Sequence, residues 1–190
     1  STSDIINSLI QNHPEGHKIR YVKHVENIGM TRNFKYVLLN SKGKYIAICE
    51  GDDYWIDTLK LQRQVDFLNQ NGAYVMVTEN GQVVNSIYDT NYPFNKEKSE
   101  TDYDIEALLM QRKFPTASVM FRTDYLTEID SLKTLCDTVL WCFLATKGKI
   151  RYLPNVSSVY SKSHAGIVAL TEKLEWARST EQWNKAMWAL

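Results

Sequence analysis

The chain has 190 residues, with 22 Lys and Arg against 22 Asp and Glu, and 44% of its residues are hydrophobic. That composition describes one ordinary domain, long enough to bury a continuous core. The formal net charge of zero excludes the basic footprint of a nucleic-acid binder, and the longest apolar run, seven residues over 139–145, falls far short of the ~20 that span a bilayer.

In chain order, Ile19, Tyr21 and Val25 predict a short β segment closed by a turn at Asn27-Ile28-Gly29. Met30, Phe34, Val37 and Leu38 then recur at helical spacing up to Ser41-Lys42-Gly43. Residues 44–49 read as a compact apolar strand. The next helix opens at Asp57 or Thr58, places Leu61, Val65 and Leu68 on one face, and stops at Asn71-Gly72. Residues 74–78 form another strand. Alternation of this kind predicts a parallel sheet covered by helices.

Over 81–101 the composition turns to Asn, Asp, Ser, Lys and Pro, which predicts a long surface excursion, a candidate lid or acceptor loop. A helix over 105–111, a strand over 118–121, a buried helix over 137–147 and a strand over 149–153 follow. Trp176, Thr180, Trp183, Met187 and Leu190 fall at 4, 3, 4, 3 spacing and predict an amphipathic terminal helix over 169–190. Its aromatic face has three readings: packing on the domain, a homo-oligomer contact, or a peripheral membrane contact.

Cys49, Cys136 and Cys142 form no CxxC pair and sit among apolar neighbours, so they read as buried reduced thiols. Together with an N-terminus lacking the pattern of a signal peptide, they point to the cytoplasm, including the inner face of the membrane.

The sharpest chemical signal is Glu50-Gly51-Asp52-Asp53-Tyr54-Trp55, three carboxylates at the carboxyl end of an apolar strand. In open α/β sheets ligands bind there. Read in isolation, an acidic turn is a solvated loop; after such a strand it is a candidate cation site. Its oxygen-only donors suit Mg or Mn holding substrate phosphates. Neither GxxxxGK[ST] nor GxGxxG occurs, so the phosphates need another cradle. Asp137 opens an apolar helix, where helix capping and a functional carboxylate are both open readings. His164 lies in a polar loop.

Together these segments resemble family 2 glycosyltransferases of the GT-A fold. The resemblance rests on Asn27-Ile28-Gly29-Met30-Thr31-Arg32-Asn33, on the acidic turn running into Lys60-Leu61-Gln62-Arg63-Gln64, on Pro115-Thr116-Ala117-Ser118, and on Cys136-Asp137, with Tyr160, His164 and Gly166 in the family's order. It implies a GT-A Rossmann-like sandwich over 1–168, α/β in class, with a mostly parallel central sheet and helices on both faces. Ser1-Thr2-Ser3-Asp4-Ile5-Ile6 matches the middle of a D-x-S-T-D-x-x-x-I-I stretch, so the resemblance also implies that the first strand-helix-strand is absent.

By the same resemblance Asp52 and Asp53 bind a divalent ion, Mg or Mn, and the donor diphosphate. Arg32 and Asn33 contact the donor nucleotide, His164 lies near the phosphates and the metal, Asp137 is the general base of an inverting transfer, and Trp55 is on the acceptor side. The implied partners are a nucleotide-sugar, a UDP-sugar first among them, and a glycan or lipid-linked acceptor in bacterial surface or capsular polysaccharide synthesis. The competing class is a non-catalytic, truncated transferase-like module for binding or assembly.

Overall fold

The structure, a computed structural model, describes residues 1–111 and 113–163 together with Glu181 and Lys185. His164 lies outside the described residues, as does the Trp-rich face expected over 169–190.

Helix α1 (Thr2–Asn12) begins in a capping box, in which Ser1 and Asp4 satisfy each other's backbone N–H groups, and it buries none of its residues. The segment expected as a strand around Tyr21 is irregular. β-prone residues form a strand only where a neighbouring strand supplies ladder partners, and none lies beside them among the described residues. Helix α2 (Met30–Leu39) starts after Gly29, whose φ of 79° is in the region that other residues enter only with strain.

Strands β1 (Tyr45–Ala47) and β2 (Tyr54–Trp55) flank the acidic turn. They are followed by α3 (Lys60–Gln70), β3 (Tyr74–Asn85), β4 (Thr90–Pro93), β5 (Thr101–Tyr103) and α4 (Ile105–Met110). Strand β6 (Met120–Arg122), α5 (Leu126–Ser131), α6 (Asp137–Ala145) and β7 (Lys149–Lys162) complete the order.

One seven-stranded sheet runs β1-β6-β3-β7-β2, with β4 added to β3 and β5 to β7. Its spine is the long parallel ladder between β3 and β7, and β1 runs in the same direction. Strand β6 is inserted antiparallel between β1 and β3. Adjacent residues point to opposite faces, so Met76, Phe121 and Tyr152 join one core while Val77, Met120 and Leu153 join the other. The larger core lies under α6, whose residues from Val139 to Leu144 are all buried, with α2, α4 and α5 around it; the smaller lies under α3. Helices therefore cover both faces.

Three local expectations are corrected. Residues 81–85 are not part of a surface excursion but continue β3, because β7 supplies hydrogen-bond partners along their length; only the stretch beyond them is exposed hairpin and loop. Cys49 is exposed, whereas Cys136 and Cys142 are buried thiols outside any disulfide, which desolvation pushes up to about 11. Helix α3 buries Lys60, Gln64 and Leu68, leaving Leu61 39% exposed. The Lys60 ammonium donates to Gln64 Oε1 at 2.9 Å and sits 4.7 Å from the centroid of the Trp55 ring.

Burial pushes Lys60 down from its ordinary 10.5 to about 8. Between those pH values the unfolded chain holds a proton that the folded chain has released, so this group's contribution to stability rises with pH across the window. The expected outcome is that wild type gains about 2 kcal/mol on Lys60→Met between pH 8 and pH 10. Urea denaturation at both pH values checks this, since the other alkaline groups are common to both proteins. A constant difference between the two would remove the linkage.

Candidate functional site

The acidic turn leaves the carboxyl end of β1 and returns through β2. Asp53 N–H closes it on Glu50 O at 3.2 Å, and Asp53 Oδ1 accepts the Ser161 N–H of β7 at 2.9 Å, which fixes the turn against the sheet's spine. Asp52 is exposed. The far end of the loop is tied down as well. Asp57 Oδ1 accepts Leu59 N–H at 2.8 Å and Asp57 Oδ2 accepts Arg63 Nη2 at 2.6 Å. Arg63 in turn grips the buried Glu79 of β3 with two bonds of 2.9 Å.

Asp137 reaches the same groove from the first position of α6. Its Oδ1 accepts Thr138 N–H at 2.7 Å, an anchor at a helix N-terminus where negative charge is favoured. Its Oδ2 accepts the Thr116 hydroxyl at 3.0 Å. Helix capping proper is not its role, since Asp137 lies inside the helix and Cys136 holds the cap position.

Glu50 completes a set of four carboxylates. Burial, then the neighbouring charge of Asp53, push its carboxyl up to about 7, with Asp137 adding to the rise and the Thr116 hydroxyl opposing it. Its Oε2 is buried without a hydrogen-bond partner.

Asp52, Asp53, Glu50 and Asp137 all line one open groove of about 1410 Å³, a further wall of which comes from α2 and the segment before it. Asn33 lines that wall, hydrogen-bonded to His24 at 3.1 Å. Arg32 is exposed and does not line the groove. Trp55 lies outside it too. Its indole N–H donates to Ala117 O at 2.8 Å, and 37% of its surface is exposed at the sheet edge.

Two neighbouring carboxylates on an open turn suit a hard divalent cation. Among the described residues no three His, Cys, Asp or Glu side chains converge as a metal cage. That donor set fits Mg or Mn, which keeps several waters and takes the rest of its ligands from substrate phosphates, better than it fits zinc.

The family model described as glycosyl transferase family 2 matches residues 1–129. The chain belongs to glycosyl transferase family 2. Uncharacterized proteins of Mycobacterium bovis and of two Mycobacterium tuberculosis strains are 31% identical to this family member over 168 residues, 88% of its length and 48% of theirs. The chain thus spans about half the length of the curated relatives it matches. In fold, this transferase-family chain is similar to the crystal structure of S. aureus TarS 1–349. The TM-score is 0.54 at 16% identity, covering 87% of this chain and 52% of that one. The GT-A-type α/β architecture expected from the sequence is the fold observed, and no helix among the described residues is long and apolar enough to cross a membrane.

Sequence reasoning did not assign Glu50 or Thr116. Glu50 belongs to the acidic turn and Thr116 to the Pro115-Thr116-Ala117-Ser118 segment, and neither takes a role of its own from the sequence. For Thr116 the signal available was weak: a Thr after Pro, twenty-one residues from the carboxylate it holds.

Proposed function

We propose that this protein transfers a sugar from a nucleotide-sugar donor to an acceptor hydroxyl with inversion, in bacterial surface or capsular polysaccharide synthesis at the cytoplasmic face of the membrane. Family and fold support sugar transfer in general. The observation that carries the specific reading is the groove, which brings the acidic turn and Asp137 together from elements 84 residues apart (137 − 53).

In this reading Asp52 and Asp53 hold Mg or Mn and the donor diphosphate, with His164 as a further ligand, and Arg32 and Asn33 contact the nucleotide, UDP first among candidates. When bound, the metal neutralises charge on the departing nucleoside diphosphate. Asp137 accepts the proton of the acceptor hydroxyl while that oxygen attacks the anomeric carbon from the face opposite the leaving group. The bond from that carbon to the diphosphate breaks with its electron pair leaving on the diphosphate, and the proton ends on Asp137. Trp55, exposed at the sheet edge, is the acceptor-side aromatic for a glycan or lipid-linked acceptor.

The test is calorimetric titration of UDP with and without Mn. Asp53→Asn keeps an oxygen for the Ser161 N–H and loses the charge, so it separates the cation role from the structural one. Both Asp53→Asn and Asp53→Ala should lose at least about tenfold of the Mn-dependent affinity, ~1.4 kcal/mol. Full retention by both variants would sink the assignment.

A further inference from the structure

The turn over 115–118 is held more firmly than a surface connection requires. Ser118 Oγ donates to Pro115 O at 2.7 Å and shares a 2.7 Å bond with Thr78 Oγ1 of β3. Gln64 Nε2 of α3 donates to Ser118 O at 2.7 Å, and Trp55 Nε1 of β2 to Ala117 O at 2.8 Å. Gly81 lets the turn lie directly on β3, where a Cβ would meet Pro115 Cγ at 2.6 Å. Three elements therefore fix the turn that carries a single further side chain.

That side chain is Thr116, 1% exposed. Thr and Ser in turns commonly satisfy their hydroxyls on the local backbone, and Ser118 does so. Thr116 instead donates to Asp137 Oδ2 at 3.0 Å. Since the Thr138 N–H takes Oδ1, both oxygens of Asp137 are held, one from its own helix and one from the clamped turn.

We infer that Thr116 is a positioning residue for Asp137, and that the inward-facing polar side chains of α3, with Trp55, serve to fix the turn that carries it. The inference rests on the reading of Asp137 as general base. Removing the Thr116 anchor loosens the Asp137 carboxylate about its side-chain torsions, and an ångström of misplacement at a reacting group costs on the order of a hundredfold in rate. The polar interior of α3 is thereby explained: Lys60 holds Gln64, Gln64 holds the turn, and the turn presents Thr116.

The experiment compares Thr116→Val, Thr116→Ser and Asp137→Asn. The rate of UDP release is followed with UDP-glucose, UDP-galactose and UDP-N-acetylglucosamine in Mn, beside UDP titration, thermal melts and a crystal structure of Thr116→Val. Thr116→Val should lower kcat by about 10- to 100-fold with KM and UDP affinity within about twofold, Thr116→Ser should recover most of that loss, and Asp137 should turn away from its wild-type position in the Val structure. Unchanged kcat in Thr116→Val, parallel loss of kcat and affinity, or an unmoved Asp137 overturns the inference. Wild-type turnover in Asp137→Asn, or none by the parent protein with any of the three donors, instead overturns the reading beneath it.

Discussion

Asp137→Asn is expected to lower turnover by about 10²- to 10⁴-fold, the range a positioned general base supplies, while UDP affinity in Mn stays within about twofold. The substitution is close to isosteric. The amide oxygen can still accept the Thr138 N–H, and the amide nitrogen can donate to Thr116 Oγ, so both anchors survive with one bond reversed. What disappears is the capacity to take up a proton. Because donor binding is assigned to the acidic turn and the α2 side of the groove, it should be insensitive. Steady-state kinetics together with UDP titration checks this. Equal losses of turnover and affinity would make Asp137 structural.

Arg63→Met is expected to destabilise the protein by about 3–5 kcal/mol, the usual consequence of stranding one member of a buried ion pair. For a domain of this size that lowers Tm by roughly 10 °C. Glu79 is 0% exposed and both its oxygens are bonded to Arg63, so removing the guanidinium leaves a carboxylate charge in the interior without its partner. Arg63 itself is only partly buried and also binds Asp57, which is why stranding Glu79 is the costlier direction. The double variant Arg63→Met, Glu79→Leu should recover most of the loss, since replacing both partners by apolar groups is often neutral. Urea denaturation of the two proteins decides it. A single variant within 1 kcal/mol of wild type would show that the pair contributes little.

Arg63 links Asp57, the downstream anchor of the acidic turn, to the central strand β3. The double variant recovers stability without recovering that link, so it should be stable and yet bind UDP with Mn more weakly than wild type.

How much of this was legible depends on the range of the interactions. Helices α2 and α6 and strand β1 follow from local spacing, because apolar periodicity and stop residues act within a few positions. The acidic turn was legible as a site for the same reason: its carboxylates are adjacent in sequence and sit at a strand's carboxyl end. Helix α3 shows the limit. Periodicity placed Leu61 inward, yet the inward row is Lys60, Gln64 and Leu68, because the groups that satisfy it, the Trp55 ring and the Ser118 carbonyl, come from β2 and from 54 residues downstream. Residues 81–85 looked like loop by composition and became strand because β7 pairs with them. The stretch around Tyr21 looked like strand and found no such partner.

By itself, then, the sequence determined the family, the α/β class and the acidic turn, all of which are written in short contiguous segments. Tertiary structure alone decided which polar side chains turn inward, that Glu50 shares a groove with Asp53 and Asp137, and that Thr116 holds Asp137. The physical reason is that burying a polar group costs free energy unless a partner meets it, and for Lys60, Gln64 and Thr116 the meeting depends on folding that brings distant segments together.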